Sequence, residues 1–184
     1  MNDNAQFDAR AIANLLLDTA EEQQLPVTNL MLQKLLYFTH GLHLSTTRMP
    51  LVDGYFEAWT YGPVHPNVYL TFKAAGSAPI SWRATRSDYS TGRVLPIQPV
   101  EDADVVALAR RVVATLGKLS ASRLVALSHV PGGPWHAVAN EARTRPGRGM
   151  RISDMLISER FDRHKLAVNG VDLGADPDQE APLT

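Results

Sequence analysis

Apolar residues recur at helical spacing through most of this chain, and short aromatic or alternating stretches interrupt that rhythm in two places. Between Ala9 and Gln23, Ile12, Leu15, Leu16 and Thr19 share one face, so an amphipathic helix is expected there. Asp8 stands at its N-cap and Pro26 closes the pattern, while Glu21 and Glu22 crowd the last turn against the helix dipole. Thr28 or Asn29 caps the next helix, which runs to about Thr47. Leu32, Leu35, Leu36, Thr39 and His43 lie along one face of it, and Gln33, Tyr37, His40 and Leu44 along a neighbouring one. A helix apolar over more than half its circumference is wrapped by other elements.

Tyr55 to Trp59 reads as a short aromatic strand, with Phe56 and Ala58 on one side and Tyr55, Glu57 and Trp59 on the other. Tyr61-Gly62-Pro63-Val64-His65-Pro66 has turn chemistry, and Pro66 suits the first turn of a helix in which Val68, Tyr69 and Phe72 share a face, with Gly76 ending it. Between Ala78 and Val100 the helical period disappears. Ile80 to Ala84 and Arg93 to Leu95 read as extended, joined by the turn-rich Ser87 to Gly92, so this stretch is either a loose hairpin or an irregular excursion. Pro96 and Pro99 confine its second half to an edge. Helical spacing returns from Val105 to Leu116, capped by Asp102 or Asp104 and closed by Gly117. Ser120 caps a short helix carrying Leu124 and Leu127, and Trp135 opens another that ends near Arg143. Ser153 caps a last one from Asp154 to about Leu166. The fold class that follows is mainly α: a single compact helical domain with a small strand or hairpin element, spanning residues 1–167, followed by a short acidic tail, 168–184, poor in large apolar groups.

Composition narrows the function classes. The chain has 184 residues, 45% hydrophobic and 20% charged, with a formal net charge of -1, which leaves no basic footprint for nucleic acid. It has no cysteine, so a disulfide framework and a thiolate zinc site are excluded. No apolar run approaches a membrane span and the first residues carry no signal-peptide pattern, so a cytoplasmic location is expected.

Three blocks then point to a family. Leu32-Gln33-Lys34-Leu35-Leu36-Tyr37, Phe56-Glu57-Ala58-Trp59 and Tyr61-Gly62-Pro63-Val64, followed by Pro66, Val68 and Tyr69, resemble the Panacea domain family. A later block agrees: Leu119-Ser120, Leu124-Val125, Leu127-Ser128-His129 and Gly133-Pro134-Trp135. Order and spacing match from about Ala9 to about Phe161. That family holds SocA-like antitoxins and phage-associated GepA proteins. The resemblance implies a mainly helical domain without a cofactor or enzymatic activity. It also implies that the chain neutralises a cognate protein toxin by direct binding, and acts as an adaptor that hands the toxin to a ClpXP-type protease. A phage or mobile-element interaction protein with no toxin is the neighbouring alternative.

The residues themselves frame the candidate site. The strip from Thr28 to Tyr69 is dense in aromatics and histidines in a chain with only 7% aromatics. Gln33, Lys34, Tyr37, His40, Glu57 and Tyr61, together with Trp135, are therefore the candidate partner-binding residues. Leu32, Leu35, Leu36, Phe56, Trp59, Gly62, Pro63, Pro66, Tyr69, Ser120, His129 and Pro134 are read as framework. Lys34 either covers apolar surface with its stem while its head reaches water, or pairs with Glu57; the first reading is preferred. Glu57 beside Lys34 or His129 makes a buried polar knot. An enzyme built on His40, His43 and His129 as metal ligands is the competing class, but no H-E-x-x-H or comparable motif supports it. Ser45, Ser120 and Ser128 lack a nucleophile elbow. Arg143, Arg145, Arg148 and Arg151 read as a solvated loop rather than an anion site.

Overall fold

The computed structural model describes residues 6–88, 90–141, 147 and 149–164. Its elements, in chain order, are α1 (Ala9–Glu22), α2 (Asn29–Thr47), β1 (Phe56–Trp59), β2 (Gly62–Val64), α3 (Pro66–Phe72), β3 (Thr85–Ser87), β4 (Val94–Pro96), α4 (Ala103–Leu116), α5 (Ala121–Ser128), α6 (Pro134–Glu141), β5 (Arg151–Ile152) and α7 (Asp154–Arg160). A 3-10 turn follows α3 (Lys73–Ala75) and another follows α7 (Phe161–His164). The mainly helical class expected from the spacing is what the chain adopts. The caps are local chemistry and fall where side-chain oxygens allow: Asp8, Thr28, Asp102, Ser120 and Ser153 each accept a backbone N–H of the first turn.

Helix α2 is the axis of the molecule. Helices α1, α4, α5 and α7 and the β1–β2 hairpin all pack on it, which buries most of its circumference. Leu32, Leu35, Leu36 and Phe38 are fully enclosed with Ile12 and Leu16 of α1, Val112 and Val113 of α4, and Leu124 of α5. Burying one such aliphatic or aromatic side chain contributes about 1.5–3 kcal/mol, so this layer supplies much of the stability. Phe161 packs its ring directly on Gly41 of α2, at a place where any Cβ would overlap it. Tyr37 sits in the same cluster, with its ring centroid 5.5 Å from that of Phe56 and 5.9 Å from that of Phe161.

The strands depart from the sequence reading in three places. Gly62-Pro63-Val64, expected as turn, forms β2, antiparallel to β1 with Glu57 opposite Val64, Ala58 opposite Pro63 and Trp59 opposite Gly62. The turn itself is only Thr60 and Tyr61. A proline is tolerated in β2 because that strand is an edge, and the Ala58 N–H donates instead to Met150 O at 2.8 Å. Strand β5 pairs with the other side of β1, Phe56 opposite Ile152 and Glu57 opposite Arg151, so β1 is central in a three-stranded sheet. The excursion after Gly76 is a hairpin. Its first strand is Thr85–Ser87 rather than Ile80 to Ala84, and it pairs with Val94–Pro96. Arg83 anchors the base of this hairpin to α1: its Nε donates to Asp18 at 2.6 Å and its Nη2 to Glu21. That ion pair gives the acidic last turn of α1 a structural role. The last helix ends at Arg160, before the 3-10 turn. The acidic tail and Arg143, Arg145 and Arg148 lie outside the described residues.

Candidate functional site

The sequence blocks separated along the chain meet beneath the β1–β2 hairpin. Lys34 does not bring its head to water as expected: it projects from α2 into the interior, where its side chain is fully buried and its Nζ donates to Pro63 O at 2.8 Å. Burial without a counter-charge pulls its pKa down to about 7. Gly62 passes over this ammonium group with φ +95°, and a Cβ there would lie 3.0 Å from Lys34 Nζ and overlap Ser128 Oγ. Only glycine suits both the backbone angle and the close approach. Ser128 is held at the end of α5 by a bond from its hydroxyl to Val125 O at 2.8 Å. Its neighbour His129 stacks on Trp135, with ring centroids 3.7 Å apart, and Trp135 Nε1 donates to Trp59 O at 2.9 Å. Burial, and secondarily the Lys34 charge, hold His129 down at about 4, so at neutral pH it stacks as an uncharged ring.

Glu57 is buried but does not join Lys34. Its Oε2 accepts the Trp59 Nε1–H at 2.7 Å. Just after β2, the His65 backbone N–H donates to Gln33 Oε1 at 2.9 Å, and His65 Nε2 bonds Asp53 O at 2.8 Å. His40 is enclosed and bonds Asp154 at 3.0 Å, which ties α2 to the first turn of α7. His43 instead bonds Met49 O. Each of the three candidate metal-binding histidines thus has separate surroundings, and among the described residues no three His, Cys, Asp or Glu side chains gather as a metal-ligand group.

Of the residues expected to meet a partner, Gln33, Lys34, Tyr37, His40 and Glu57 are all interior, at 6% exposure or less. They brace the hairpin and α7 from within, and of these five Gln33 also lines a surface cleft. Tyr61, at 66% exposure, is at the tip of the hairpin, and Trp135 is half-buried below it. The surface this framework presents is a cleft of about 520 Å³ between α2, the hairpin and α3. Trp59 and Tyr69 meet edge to face across it at 4.8 Å, with Tyr61, Leu30 and Val64 extending the apolar wall. Asn29 and Gln33 also line it, as does Lys73. Sequence reading did not single out Leu30 or Lys73, since nothing local marks a residue whose role depends on three elements converging.

Fold and site together define a small, mainly helical domain that presents an aromatic cleft on a buried polar knot. The chain belongs to the family Antitoxin SocA-like, Panacea domain, whose pattern it matches over residues 32–136. It is also 47% identical over 180 residues to Antitoxin SocA of Caulobacter vibrioides (strain NA1000 / CB15N), a match that covers 98% of this chain and 96% of that one. No solved structure matches the chain.

Proposed function

We propose that this protein is an antitoxin that neutralises a protein toxin encoded beside it, by direct contact through the cleft at Trp59, Tyr61 and Tyr69. The observation that carries this reading is the similarity to Antitoxin SocA along nearly the whole of both chains. The geometry supports it. Tyr and Trp are enriched at binding hot spots, and here Trp59 and Tyr61 stand on a hairpin fixed from below by Lys34, Ser128 and Trp135, with Tyr69 beside them on α3. A rigid, preformed surface loses little conformational freedom on association.

The test is co-expression. The neighbouring gene is expressed in a bacterial host alone and then with this protein, and surviving colonies are counted. Relief of toxicity with co-purification of the two proteins is the expected result. A toxic neighbour that this protein neither relieves nor binds overturns the proposal. Hand-off to a ClpXP-type protease is its finer form. It predicts that the amount of toxin falls when this protein and the protease are both present and holds steady when either is missing.

A further inference from the structure

The chemistry of the cleft specifies what enters it. Its walls are rings and aliphatic groups, and among the described residues its one charged lining group is the Lys73 ammonium and no carboxylate lines it. Lys73 is exposed and has no ion-pair partner among the described residues. The polar floor is biased towards donation as well. Gln33 Nε2 donates one proton to Asn29 Oδ1 at 3.2 Å, and Asn29 Nδ2 donates one to Tyr69 O at 3.4 Å. An amide nitrogen carries two protons, so each retains one without a protein acceptor among the described residues. The Tyr61 and Tyr69 hydroxyls also have no hydrogen-bond partner there, and both can donate. Leu70, 54% exposed, stands one turn before Lys73 on the helical surface and continues the apolar strip beyond the cleft.

We infer that the cleft takes a short extended segment of a protein partner that packs an aromatic or branched aliphatic side chain against Trp59, Tyr61 and Tyr69 and sets an adjacent Asp or Glu against Lys73 and the amide floor. A basic segment would meet a cation and spare N–H groups with no acceptor of charge opposite them. A purely apolar segment would leave those donors desolvated and unpaired. That the segment belongs to the toxin rests on the antitoxin reading; the chemistry of the segment does not.

The experiment pans short linear peptides displayed on phage against the full-length protein and measures the enriched sequences, as synthetic peptides, against variants. Enriched peptides are expected to place Phe, Tyr, Trp, Leu or Ile next to Asp or Glu. Their binding is expected to weaken about tenfold or more with Tyr61→Ala and with Lys73→Glu, the size of loss seen at interface hot spots. It should be unchanged with Arg111→Glu, an exposed cation at the separate groove between α2 and α4. All three positions are exposed, so thermal melts should not shift, and that readout separates lost contact from lost fold. Added salt should weaken wild-type binding and have less effect on Lys73→Glu. Enrichment of basic peptides, enrichment of none, or peptides whose affinity survives both cleft substitutions would overturn the inference. Peptides that bind as expected to a protein that relieves no toxicity would sink the antitoxin reading and leave this one standing.

Discussion

Replacing Gly62 by alanine tests whether the polar knot under the hairpin is as tight as the geometry implies. Two contributions add. Holding an L-residue at φ +95° costs about 1–2 kcal/mol. The new methyl also overlaps Ser128 Oγ and sits 3.0 Å from Lys34 Cε and Nζ, and overpacking of that kind costs about 1–3 kcal/mol. Gly62→Ala should therefore lose about 3 kcal/mol in urea unfolding followed by far-ultraviolet circular dichroism. For a chain of this size that is a fall in Tm of roughly 6–12 °C. The two contributions separate in a double-mutant cycle. Ser128→Ala removes the overlapping oxygen together with its bond to Val125 O, at a cost of about 1 kcal/mol alone. In the Gly62→Ala background it should instead be neutral or favourable, a coupling of about 1 kcal/mol or more, while the backbone strain and the Lys34 contact remain. A loss below about 1 kcal/mol for Gly62→Ala, or strict additivity with Ser128→Ala, would refute the close approach.

Lys34 predicts a pH dependence of stability. Its folded pKa of about 7 lies below the unfolded 10.5, so between these values the unfolded chain binds more protons and stability rises with pH, by up to about 1.4 kcal/mol per unit. Tyr37, whose burial raises its pKa, reverses the trend above about pH 10. Lys34→Met should flatten the rise between pH 7 and 10 in denaturant titrations; a slope that persists in the variant would mean another group causes it. The Tyr37 hydroxyl is buried without a partner among the described residues, so Tyr37→Phe should keep or raise stability by up to about 1–3 kcal/mol, whereas Tyr37→Ala should lose about 3–5. A large loss in Tyr37→Phe, read from the same unfolding curves, would reveal a missed partner. Trp135→Phe deletes the bond to Trp59 O and should cost about 1–2 kcal/mol by denaturant unfolding while weakening toxin binding in titration calorimetry; binding that survives a loosened hairpin would argue against a preformed cleft.

What the sequence revealed and what it hid divides along the range of the interactions. Caps were legible because Asp8, Thr28, Asp102, Ser120 and Ser153 act within their own first turns. Helix α1 and helix α4 were legible because each buries one stripe. Strand β2 was not, since Gly62-Pro63 reads locally as a turn and becomes a strand only through pairing with Phe56–Trp59. Two-residue β5 carries no periodic signal at all. Helix α2 misled for a different reason. When apolar residues cover most of a helix, periodicity no longer says which face meets water. Tyr37 and His40 therefore read as possible surface, yet α7 and the 3-10 turn after it cover them. The account of Glu21 depended on Arg83, far along the chain.

The placement of the motif residues has a consequence for how binding is encoded. Most of the residues that make this chain resemble its family face inward, Leu32 to Tyr37, Phe56 to Ala58, Gly62-Pro63 and Ser128-His129 among them, while Trp59, Tyr61 and Tyr69 of the same blocks line the cleft. Residues that touch no partner cannot choose one; they can only fix the height and angle of the hairpin. On the proposed reading, choice then falls to the exposed groups around the cleft: Tyr61 at the hairpin tip, Leu70 on α3 and Lys73 in the 3-10 turn that follows it. Because the two sets share the hairpin but not the same atoms, their substitutions should separate cleanly. Changes at Lys34, Gly62 or Ser128 should remove binding only in proportion to lost folding. Changes at Tyr61 or Lys73 should alter affinity and partner preference at a constant melting temperature. One buried scaffold can in this way present different small surfaces to different partners, since exchanging exposed side chains disturbs the folded state by about half a kcal/mol or less.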